Sequence, residues 1–138
     1  MPFVVPRILL VMPEQWPRAL LRAALREAGY DAVGAPGLPA ALRYRTVVPE
    51  RGPVRLVVLD QAALRGAEAG RELATLRSRH GHPDLMLLAK GGSTVALPTL
   101  TPEIGWRRIV HRPASIAQLV DAVRTILPLP PESARPVD

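Results

Sequence analysis

The chain has no cysteine, which excludes a disulfide scaffold and a thiolate metal centre and fits a reducing compartment. Aromatic residues make up only 4% of it, so any core has to be aliphatic, built from Leu, Val, Ile and Ala. Lysine is nearly missing: Lys90 stands alone against 17 arginines. No apolar run approaches the length of a membrane span. Nothing basic precedes the N-terminal apolar residues, and Arg7 interrupts them, which does not fit a secretory leader. The expectation is a soluble, cytoplasmic protein without membrane association.

What is present is a length of 138 residues, enough for one domain with a real core, and a hydrophobic fraction of 48%, which is globular. The net charge of +6 makes nucleic acid the first partner to weigh. The arginines are dispersed, however, and with abundant Ala and Pro they look like a coding bias toward GC-rich codons. Arg18, Arg22 and Arg26 form one stripe, opposite Leu21, Leu25 and Ala28 on the same helical period. A solvated helix face explains such a stripe better than a phosphate-binding one.

The most informative stretch is Leu56-Val57-Val58-Leu59-Asp60. A short run rich in β-branched residues reads as a strand buried on both faces. A carboxylate at its end would sit at the rim of a parallel sheet, where open α/β folds place their ligands. The plainer alternative is a solvated aspartate that ends the strand and opens a loop.

Strand and helix patterns alternate around that run. Arg7 to Met12 reads as a first strand, and Pro13 to Pro17 as a turn into a helix with Leu20, Leu21, Ala24, Leu25 and Ala28 in period, ended by Gly29. Tyr30 to Ala35 is a second strand, Leu38 to Val48 a weaker second helix, and Pro49 to Pro53 a loop. After Asp60, a loop over Gln61 to Gly66 leads to a helix over Ala67 to His80. Leu85 to Leu88 and Arg107 to His111 are further strands. Ser115, with Gln118 three residues on, is a capping box that opens the last helix. The prolines at 128, 130, 131 and 136 mark residues 128–138 as an extended, disordered tail after a domain over 1–127. Lys90 to Gly105 occupies the place of a fourth helix, but Gly91, Gly92, Pro98, Pro102 and Gly105 argue for a loop.

This alternation demands a parallel sheet with helices on both faces. Five strands in this length suit the flavodoxin-like order 2-1-3-4-5, a three-layer sandwich in which strands one and three are neighbours. Met12, Pro13, Glu14 and Asp60 then meet at one rim, flanked by Ala89 and Arg112.

On these residues the chain resembles the receiver domain of two-component response regulators, over residues 7 to 127. Arg7-Ile8-Leu9-Leu10-Val11 resembles its first strand, Gly29-Tyr30-Asp31-Ala32-Val33 its step into the second, and Leu56 to Asp60 the strand bearing its phosphorylated aspartate. Arg112-Pro113 falls where the family has a lysine followed by a cis proline. The resemblance implies a signalling module with a sensor kinase or downstream effector as protein partner, and leaves a homodimer open.

The active-site pattern of the family is mostly replaced. Its two acidic metal ligands fall on Met12 and Pro13, with Glu14 adjacent. Its hydroxyl falls on Ala89, its lysine on Arg112 and its switch aromatic on Ile109. Mg²⁺ wants carboxylate or water oxygens, so no metal or other cofactor is expected. The reading is a pseudo-receiver with Asp60 at the phospho-acceptor position, acting as a phosphorylation-independent interaction module. Exposed Val95, Leu97 and Leu100 would anchor its partner. The alternatives are a working phospho-acceptor using Asp60 and a small basic nucleic-acid-associated protein. No acid–base pair or nucleophile constellation points to an enzyme. Lys90-Gly91-Gly92-Ser93-Thr94 has the wrong order for a phosphate loop. His80 and His82 near Asp84 read as helix-ending polar residues, and Trp16 and Trp106 as partial covers of the core rim.

Overall fold

The computed structural model describes residues 5–43, 47–48, 52–90 and 105–130. Strand β1 (Arg7–Val11) leads into helix α1 (Gln15–Ala28), β2 (Asp31–Ala35) and a short α2 (Leu38–Leu42). A two-residue β3 (Val47–Val48) precedes β4 (Gly52–Asp60), which runs straight into a 3-10 turn over Gln61–Leu64. Helix α3 (Ala69–Arg79), β5 (Asp84–Ala89), β6 (Arg108–His111) and α4 (Ile116–Ile126) complete the order.

The parallel strands stand in the order β2-β1-β4-β5-β6, with β3 off the main path. Counting the five parallel strands alone, this is the expected order 2-1-3-4-5. All of β1 is buried, as is β4 from Leu56 to Asp60, because helices cover both faces. Alternation divides the core in two. Ile8, Leu10, Leu56, Val58, Met86 and Leu88 pack with α1 and α4 on one face. Leu9, Val11, Val57, Leu59, Leu85 and Leu87 pack with α2 and α3 on the other.

Local chemistry explains the boundaries. Gly29 ends α1 at φ 109°, a left-handed conformation that favours glycine, and Tyr30 N–H donates back to the Leu25 carbonyl at 3.0 Å. At α4 the capping box is complete. Ser115 Oγ accepts from Gln118 N–H at 3.1 Å, and Gln118 Oε1 accepts from Ser115 N–H at 2.7 Å. The Tyr30 hydroxyl donates to the Leu127 carbonyl at 2.6 Å, fastening the far end of the same helix.

Two expectations need correction. The second helix does not reach Val48: it ends at Leu42, and Val47–Val48 pairs antiparallel with Gly52–Pro53 as a small ribbon. The β-branched pair prefers a pleated strand, and Gly52 with φ 76° makes the return that the sequence reading took for part of a loop. Trp16 does not cover the core rim; it is 74% exposed, because it precedes the buried stripe of α1 that starts with Leu21. Arg7 opens the first strand, as the sequence leads one to expect. It is fully buried, donating from Nη1 to the Gly52 carbonyl at 3.0 Å, with Nε 3.5 Å from Asp31 Oδ2. No helix among the described residues is long and apolar enough to cross a membrane. Residues 91–104 and 131–138 lie outside the described residues, so the expected loop anchors Val95, Leu97 and Leu100 and most of the proline-rich tail do too.

Candidate functional site at the carboxyl rim of the sheet

Asp60 ends the central strand and turns directly into the 3-10 segment. Its Oδ1 accepts from Ala62 N–H at 2.9 Å, so the carboxylate caps the turn. Its Oδ2 accepts from the guanidinium Nη2 of Arg112 in a short ion pair. Asp60 is only 6% exposed, whereas the Arg112 side chain is 37% exposed. The pair therefore has one buried end and one end open to water. A charge-assisted bond of this geometry is stronger than a neutral one, but the open end weakens it by screening.

Arg112 reaches this place because β6 runs parallel beside β5 and its backbone continues past the strand. Arg112 N–H donates to the Ala89 carbonyl at 3.0 Å, and the following peptide bond to Pro113 is cis. Lys90 N–H donates to Gln61 Oε1 at 2.7 Å, tying the loops after β4 and β5 together. Ala89 and Met12 are each 1% exposed, so neither offers a polar group to the rim. Met12 N–H donates to the Ala35 carbonyl at 3.0 Å, which locks the end of β1 to the end of β2. Pro13 and Glu14 are exposed, and the Glu14 carboxylate has no ion pair among the described residues.

Two features of the rim were not read from the sequence. Arg18 does not project into solvent. Its Nη1 donates to the Met12 carbonyl at 2.6 Å and to the Pro13 carbonyl at 3.4 Å, so a fixed positive charge lies against the end of β1. Arg22 likewise donates from Nε to the Ala32 carbonyl at 3.2 Å. A helical wheel places both away from the core, but their long stems fold back over β2. The signal available was Gly34, whose missing side chain leaves the room that Arg18 fills.

The second feature is a cavity of about 600 Å³ between the start of α1, the ends of β5 and β6 and the start of α4. Met12, Pro17, Leu88, Val110, Ile116 and Leu119 line it, and Arg112 stands at its edge together with Pro113 and Ala114. Of the other residues noted from the sequence, His80 is buried and His82 exposed at the opposite end of the sheet. Neither belongs to a cluster of three metal-ligating side chains among the described residues. Ile109 is 40% exposed on the edge strand, and Trp106 packs against the core on the α2 and α3 side.

Solved structures share this architecture. A response regulator from Thermotoga maritima superposes with a TM-score of 0.66 at 16% identity, over 89% of this chain and 98% of that one. A CheY-like receiver domain protein from Methanospirillum hungatei JF-1 gives 0.70 at 14% identity, over 88% and 93%. The chemotaxis protein CheY4 of Vibrio cholerae gives 0.70 at 14% identity, over 90% and 100%. The chain has the receiver fold. No protein-family model and no curated protein matches the sequence. The third and fifth parallel strands end at the same rim on either side of the fourth, and the Arg112 side chain reaches across to Asp60.

Proposed function

We propose that this chain is a pseudo-receiver in two-component signal transduction, a non-enzymatic, cytoplasmic module that works through contact with a protein partner and not through phosphorylation. The observation that carries this reading is the state of the Asp60 carboxylate. One oxygen is held by the Ala62 amide and the other by Arg112. A phospho-acceptor needs a carboxylate oxygen presented to the incoming phosphoryl group and a cation that neutralises the charge gathering there.

The donor set supports the same reading. Mg²⁺ takes hard oxygen ligands in near-octahedral geometry. Met12 offers a buried thioether and Pro13 no side-chain donor, where the receiver pattern has two acids. Asp60 alone, with both oxygens engaged, does not fit Mg²⁺. Arg112 supplies the positive charge locally and permanently, in a planar geometry unlike that of a lysine. Ala89 has no hydroxyl to hold a phosphoryl oxygen.

The partner class is a sensor kinase or a downstream effector. Nucleic acid is disfavoured because Arg18 and Arg22, two members of the most regular basic stripe, are turned onto backbone carbonyls. The deciding experiment is intact mass measurement after incubation with Mg²⁺ and a small acyl phosphate donor. The mass should stay unchanged. Ready formation of a phosphoryl adduct that disappears in Asp60→Asn would replace this reading with that of a working phospho-acceptor. Steeply salt-dependent binding to DNA would instead favour the nucleic-acid alternative.

A further inference from the structure

The cavity beside Arg112 has no part in the reading above. Its volume of about 600 Å³ falls within the range of small-ligand sites, roughly 300–1,000 Å³. Its walls are the side chains of Met12, Leu88, Val110, Ile116 and Leu119, contributed by four different segments. Such sites combine an apolar body with a few placed polar groups. Among the described residues of the lining, the one charged group is the Arg112 guanidinium.

That guanidinium is only partly used. Nη2 is engaged by Asp60, while Nε and Nη1 take no acceptor among the described residues. A guanidinium carries five N–H donors in a fixed fork, so a second carboxylate can share it. The charge arithmetic selects the ligand. Asp60 already balances the formal charge of Arg112, so a monoanion leaves the site one negative charge in excess and a dianion two, and only the smaller excess is open to offset by hydrogen bonds from the unused N–H groups. A cationic ligand would meet Arg112 directly. A neutral ligand with no acceptor would leave the unused N–H groups unpaired as it displaced their water, and an uncharged carbonyl would accept from them more weakly than a carboxylate.

We propose that this cavity binds a small monocarboxylic acid with a branched aliphatic or single-ring body. The apolar body lies between α1 and α4, and the carboxylate accepts from the Arg112 N–H groups that Asp60 leaves unused. The rim thus becomes a ligand site in which Asp60 and the ligand compete for one guanidinium.

Titration calorimetry and amide chemical-shift mapping test this with 4-methylpentanoate and phenylacetate as probes, each against its primary amide. Saturable binding below about 1 mM is expected, with shifts centred on Leu88, Val110 and Ile116. The amides should bind at least about tenfold more weakly, because their carbonyl oxygen accepts from the guanidinium without carrying a charge of its own. Asp60→Asn should tighten binding severalfold by releasing the guanidinium, a response that a purely apolar crevice would not show. Ala114→Phe, at a half-buried position in the lining, should abolish binding with the fold intact by circular dichroism. If Ala114→Phe does not fold, Arg112→Gln combined with Asp60→Asn removes the charge without leaving an unpaired partner and should lose the preference for acid over amide. The proposal is overturned if neither acid saturates by about 10 mM, if acid and amide bind alike, or if Asp60→Asn weakens binding.

Discussion

Gly34 lies directly beneath Arg18: a Cβ built on Gly34 would stand 2.9 Å from Arg18 Cδ and 3.0 Å from its Cγ. Real Cβ atoms do not approach that closely, so the two positions are coupled. Gly34→Ala should push the arginine stem outward and break its bond to the Met12 carbonyl. The expected cost is about 1 kcal/mol in urea unfolding, the worth of one hydrogen bond to a charged donor offset by reduced unfolded-state freedom. Arg18→Ala alone should cost a similar amount, and the two changes together should be less than additive.

The Asp60–Arg112 pair invites a double-mutant cycle. Arg112→Gln should destabilise by about 1–3 kcal/mol, since it leaves a nearly buried carboxylate with only the Ala62 amide. Asp60→Asn should cost less, because Arg112 can turn to water. The coupling energy from chemical denaturation of the two singles and the double should be about 1–2 kcal/mol. Additive single changes would show that the pair carries no energy.

Tyr30 links the start of β2 to the end of α4. Tyr30→Phe strands the Leu127 carbonyl and should cost about 1–2 kcal/mol. Hydrogen exchange should report the loss locally, with faster exchange in the last turn of α4 and unchanged protection in β1 and β4.

Ser115→Ala removes half of the capping box at the opposite end of that helix. A loss of about 1 kcal/mol in urea unfolding is expected, and Gln118→Ala should cost less because the Ser115 amide can bond water instead.

How much of this was legible in the sequence depends on whether a residue is decided by its neighbours along the chain or across it. The run from Leu56 to Asp60 declared itself, because burial on both faces leaves only apolar residues until the strand meets the rim. Ser115 and Gln118 did too, because a capping box is a local pattern. The second helix was overextended because Ala41, Leu42 and Tyr44 keep a helical period, whereas Val47 and Val48 are decided by pairing with Gly52 and Pro53. Arg18 and Arg22 read as part of a solvated helix face, and each found a carbonyl acceptor on another segment. The cavity beside Arg112 had no sequence signal at all, since it is a gap among segments far apart in the chain.

Strand β4 carries Gly52 at one end, where Arg7 holds its carbonyl, and Asp60 at the other, where Arg112 closes the pair. Eight residue steps of extended chain place those ends about 26 Å apart. Each arginine is also balanced by its own carboxylate, Arg7 by Asp31 and Arg112 by Asp60. Two balanced pairs that far apart couple only weakly to each other. A fluorophore or affinity handle grafted onto the ribbon at Gly52 would report on the molecule without perturbing the chemistry around Asp60.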